Sequence, residues 1–75
     1  MNYVIRCKGN DGYRYLSYFH AVPDEPPNSL YSSSILDALF YSDKKSAKET
    51  VNNINGWHTH KYGFAPINKL TILAV

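Results

Sequence analysis

Apolar and polar positions alternate from the start of the chain. Tyr3, Ile5 and Cys7 fall on one side, and Asn2, Val4, Arg6 and Lys8 on the other. A period of two predicts a β-strand over residues 2–8. Gly9-Asn10-Asp11-Gly12 follows, and Asn, Asp and Gly all tolerate the positive φ of a tight turn. Residues 13–20 are dense in side chains that suit a pleated surface, so they complete a β-hairpin. Strict alternation along this second strand places Tyr13 and Tyr15 with Ser17 and Phe19. It places Tyr18 with Arg14, Leu16 and His20.

The pattern then lapses. Residues 21–36 hold Pro23, Pro26 and Pro27 together with Asn28, Ser29, Ser32, Ser33 and Ser34, which reads as a long Pro/Ser-rich loop between the second and third strands. Leu30 and Tyr31 are its apolar members, available either to pin it to the body or to meet a partner. A short apolar run, Asp37 to Tyr41, is the expected third strand. From Asp43 to about Asn55 the period changes: Ala47, Val51 and Ile54 recur at helical intervals. Ser42 is the expected N-cap, with Asp43 favourable at the positive end, and Asn55-Gly56 the expected stop. Residues 57–62 return to period two, as a short edge strand or extended loop. Lys69 to Val75 is the last strand, so apolar on both faces that a central or partner-covered position is expected. The fold class is therefore α+β: one domain over residues 1–75, a small antiparallel sheet with one amphipathic helix on one face.

Composition adds a constraint. Among 75 residues, 15% are aromatic and 19% charged, and one helix with three apolar anchors cannot cover both faces of a sheet. A disordered tail is excluded by the aromatics, and a transmembrane helix by the lack of any apolar run near about 18 residues. The first residues lack the basic start and apolar stretch of a signal peptide, so a cytoplasmic location is the expectation. The net charge of +2 is spread along the chain, without a polybasic run. Cys7 is the single cysteine, so no internal disulfide supports the fold, and self-association is one route to stability.

Candidate chemistry is sparse. His58 and His60 would point the same way in a strand and form half of a metal site, with His20, Cys7, Asp24 or Glu25 as further ligands, yet no recognised spacing links them. No metal or other cofactor is expected. Neither a phosphate-binding Gly loop nor a recognisable nucleophile–base pair is present, and so short a chain has little room for a pocket of several hundred Å3. The expectation is a protein that is not an enzyme. Aromatics remain: Tyr13, Tyr15, Tyr18, Leu30, Tyr31 and Trp57 are the candidate partner-binding residues, since Tyr and Trp dominate interface energies. The same strands carry Arg6, Lys8 and Arg14, and the helix Lys44 and Lys48. This set suits single-stranded nucleic acid, with phosphates on cations and bases on rings. A homo-oligomer holding a small ligand between subunits is the third reading.

The opening Asn2-Tyr3-Val4-Ile5-Arg6, the hairpin through Tyr15-Leu16, the segment Ala38 to Ala47 and the apolar last strand resemble small phage and prophage proteins of Gram-positive hosts. Those proteins begin with a Tyr-Val-Ile strand and start their helix with an aromatic-Ser-(Asp/Lys/Glu)-x-x-Ala pattern. The resemblance implies an accessory protein acting by stoichiometric binding to a host protein, inhibitors of host defence such as anti-CRISPR proteins among them. It transfers no catalytic residue, and the segment 21–36 departs from the pattern.

Overall fold

A computed structural model describes residues 1–9, 12–62 and 69–75, with the side chains of 58–62 left undescribed. The elements run β1 (Tyr3–Gly9), β2 (Gly12–His20), β3 (Asn28–Ser32), a single 3-10 turn (Ile35–Asp37), α1 (Lys44–Tyr62) and β4 (Leu70–Ala74). The four strands form one sheet in the order β3-β2-β1-β4, every neighbouring pair antiparallel. Helix α1 crosses one face above β1 and β4. The shortest dimension of the molecule, 15 Å, has room for one sheet and one helix. The α+β class is as the sequence implies.

Alternation on β1 holds in the structure. Ile5 pairs with Ile72, and Cys7 with Leu70 on one side and Arg14 on the other. Ile5 and Leu16 are fully buried beneath Ala47, and Tyr3, Phe19, Tyr31, Leu39, Tyr41, Val51, Leu70 and Ile72 pack around them. Each large core side chain contributes about 1.5–3 kcal/mol by leaving water. Alternation on β2 does not hold throughout. The pairing with β3 shifts between Leu16, opposite Tyr31, and Tyr18, opposite Leu30. Ser17 is the extra residue of this bulge, and its hydroxyl donates to the Leu30 carbonyl. A bulge reverses which side the following residues take. Phe19 therefore joins Leu16 in the core, while Tyr18 joins Tyr13 and Tyr15 on the opposite face.

Residues 21–36 are not one loop. Val22 to Glu25 form a turn with Pro23 second and Asp24 at φ 66°, closed by a bond from the Glu25 N–H to the Val22 carbonyl. Asn28–Ser32 then adds the edge strand β3. Pro26 and Pro27 precede it, where their missing N–H groups cost no ladder bond. The serines expected to mark a loop instead build a corner. The Ser32 hydroxyl donates to Asp37 and accepts from the Ser34 N–H, and Ser34 accepts from the Leu36 N–H as cap of the 3-10 turn. The expected third strand over 37–41 is reduced to a bridge between Tyr41 and Tyr3, plus a bond from the Leu39 N–H to the Leu16 carbonyl.

The helix corrects three expectations. Its cap is Asp43, not Ser42: the Asp43 carboxylate accepts from the Ser46 N–H at 2.8 Å and the Ser46 hydroxyl at 3.2 Å. Those bonds hold the Asp43 carboxyl below its usual range. Gly56 does not end the helix, which continues through residues 57–62, so no edge strand forms there. Ala47, Thr50 and Ile54 are buried on one side, and the Thr50 hydroxyl donates to the Ser46 carbonyl. Strand β4 lies at the sheet edge rather than its centre. Both its faces are apolar because Leu70 and Ile72 lie under the helix while Leu73 pairs with the buried Val4.

Three outcomes follow. Gly12 sits at φ 129°, so Gly12→Ala destabilises the fold by about 1–3 kcal/mol in urea denaturation. Gly56 lies within the helix with open space where a Cβ would stand, so Gly56→Ala stabilises it by up to about 1 kcal/mol. Asp43 has a folded pKa below its unfolded one. Its contribution is present at neutral pH and lost as pH falls through the carboxylate range. Asn caps without titrating, so the melting-temperature difference between the wild type and Asp43→Asn narrows from about pH 7 to about pH 3. A difference independent of pH removes the carboxylate from this account.

Candidate functional site

Helix α1 covers one face of the sheet, and the register specifies what the other face carries. Arg6 lies between Thr71 on β4 and Tyr15 on β2, and Lys8 pairs with Tyr13. Carrying the Cys7–Leu70 register one step further sets Lys69 beside Lys8. Two rows cross three strands: Lys69, Lys8, Tyr13 and then Thr71, Arg6, Tyr15. Beyond them lie Leu73 with Val4, and Tyr18 opposite Leu30. The face is thus graded, basic and aromatic at the hairpin end and apolar at the far end, where Leu30 is 63% exposed.

The Arg6 guanidinium sits 4.0 Å from the centroid of the Tyr13 ring. A cation over an aromatic face at a solvated site contributes about 0.5–1 kcal/mol. The contact fixes the guanidinium beside the ring, and its N–H donors can reach a ligand from there. Arg6, Lys8 and Lys69 line an open pocket of about 450 Å3 with Tyr13, Thr71, Cys7 and Gly9. The pocket is an open depression on the sheet and not an enclosed cavity. Among the described residues its three charged lining residues are all cations, with no carboxylate. Like charges directly opposite on a sheet repel. An anion in the pocket relieves that repulsion.

The candidate residues separate accordingly. Arg6, Lys8, Tyr13 and Tyr15 converge at the hairpin end, with Tyr18 and Leu30 on the same face. Tyr31 turns inward to the core, where burial pushes its hydroxyl pKa up and a bond with Ser29 pulls it back. Trp57 is half-buried on the helix, and Lys44 and Lys48 are exposed there, in the other layer. Arg14 pairs with Cys7 on the helix side. Lys69 and Thr71 escaped the sequence reading. The signal available was the last strand's own alternation, which puts 69, 71 and 73 on one side.

Cys7 is buried, and burial raises its thiol pKa while Arg14 lowers it in part. The thiol stays protonated at neutral pH, as in a structural cysteine. Among the described residues no three His, Cys, Asp or Glu side chains are grouped to hold a metal ion. The side chains of His58 and His60 lie outside the described residues, but the backbone there is helical, which removes the strand premise for their pairing. No helix among the described residues is long and apolar enough to cross a membrane. No family of known proteins, no curated protein and no solved structure matches the chain.

Proposed function

We propose that this protein is a non-enzymatic binding module of the cytoplasm that takes single-stranded nucleic acid on the helix-free face of its sheet. The observation that carries the reading is the pair of rows Lys69–Lys8–Tyr13 and Thr71–Arg6–Tyr15, with Arg6 stacked on Tyr13. Cations spaced across strands follow a phosphate backbone, and tyrosines beside them offer rings on which unpaired bases stack. A duplex hides its bases and gains nothing from those rings.

A second reading is stoichiometric inhibition of a host protein, as for the phage accessory proteins that the sequence resembles. It is supported by the exposed Tyr18–Leu30 pair beside the edge strand β3, since an aromatic and an aliphatic anchor at an open edge suit a protein partner.

Titration of short single-stranded oligonucleotides separates the two. Affinity falls with salt with a log–log slope near about −2, the value for roughly three phosphate contacts on a single strand. Tyr15→Ala weakens binding about 5-fold or more, and Arg6→Gln with Lys8→Gln flattens the slope. Tyr18→Ala and Leu30→Ala leave affinity near wild type. Absence of binding at low salt, or binding indifferent to Arg6 and Lys8, rejects the nucleic-acid reading. Loss of host-protein capture in Leu30→Ala alone supports the second.

A further inference from the structure

We infer that the hairpin-end pocket is a subsite for a terminal phosphate, so that the protein reads the end of a strand and not only its interior. This rests on the nucleic-acid reading of the helix-free face and goes further, assigning the pocket a phosphomonoester.

The argument begins with charge. An internal phosphodiester carries one negative charge, whereas a terminal phosphomonoester carries about −1.5 to −2 at neutral pH and three acceptor oxygens. Arg6, Lys8 and Lys69 place three cations around one pocket, with no carboxylate among its described lining. That concentration exceeds what one diester group neutralises and approaches what a monoester offers. Lys8 and Lys69 also stand side by side on adjacent inner and edge strands, an arrangement that costs stability until an anion lies between them.

Shape agrees with charge. The open pocket, of about 450 Å3, has room for a phosphate group and the sugar that carries it. It lies over the hairpin end of the sheet: its lining runs from Arg6 to Gly9 on β1, and Gly9 belongs to the last paired row, with Gly12. Donors of complementary kinds converge. The guanidinium of Arg6 is fixed beside the Tyr13 ring, 4.0 Å from its centroid, two ammonium groups offer mobile charge, and Thr71 adds a hydroxyl. A strand whose end sits here continues across the adjoining row, which brings its following base over Tyr15. The pocket is therefore at the start of the binding track, as an end-reading subsite must be.

Calorimetric titration of one unlabelled oligothymidylate of about eight nucleotides, a length within one small domain's usual site, tests the inference. The strand is prepared with a 5′-phosphate, with a 3′-phosphate and with hydroxyls at both ends. One phosphorylated form binds about tenfold or more tightly than the hydroxyl form, the scale of an added charge-assisted hydrogen bond. The advantage disappears in Lys69→Gln and in Lys8→Gln, whose melting temperatures report that the fold is intact. Equal affinity of all three strands overturns the terminal-phosphate assignment and leaves the nucleic-acid reading standing. An advantage that survives both substitutions overturns the choice of pocket. Competition by inorganic phosphate as effective as that by thymidine monophosphate overturns strand-end reading in favour of free phosphate. Failure of every strand to bind rejects the parent reading, and the inference falls with it.

Discussion

The structure depends on a limit of coverage: one helix spans about 10 Å, the width of two strands, and four strands must share it. Helix α1 takes β1 and β4, and Ala47 admits it closely over Ile5. The small side chain at 47 lets two branched residues, Ile5 and Ile72, meet beneath the helix. On β2 the helix reaches Leu16, through Ala47, and the rest of the inner side lies away from its main contacts. That remainder is closed instead by Leu39 and Tyr41, from the segment that returns past the start of β1. On the other side of the sheet the chain places Tyr13, Tyr15 and Tyr18 and its cross-strand cations.

The same limit explains what a reader of the sequence finds and misses. The hairpin is legible because alternation and an Asn-Asp-Gly turn agree over a short range, and the helix because its core positions keep a helical spacing. Strand β3 is hidden by composition: Asn28, Ser29 and Ser32 are poor strand formers, and only their pairing with β2 holds them extended. The run 37–41 misleads in the opposite direction. It has strand-like residues but reaches β1 only at Tyr41. Gly56 reads as a stop under local rules, yet keeps helical backbone once the flanking turns are in place.

The candidate site was half visible. Arg6, Lys8, Tyr13 and Tyr15 share a face by simple alternation within one hairpin, which sequence separation does not obscure. Lys69 and Thr71 arrive from the far end of the chain. Only the β1–β4 register brings them beside Lys8 and Arg6. Long-range pairing of this kind is a property of the sheet and leaves no local trace. Tyr31 and Trp57 show the converse: an aromatic side chain carries no label for interior or surface, and both were drawn toward the body of the protein.

The extra residue at Ser17 has a consequence for how this chain can vary. It divides β2 into two half-strands in opposite phase, the first presenting Tyr13 and Tyr15 outward on odd numbers, the second Tyr18 on an even one. A relative lacking that residue would have to exchange the identities of every position from 18 to 20 to keep both its interior and its outer face. A point change along β2 therefore alters one position on one face, whereas a single deletion there is a change of reading frame for the surface.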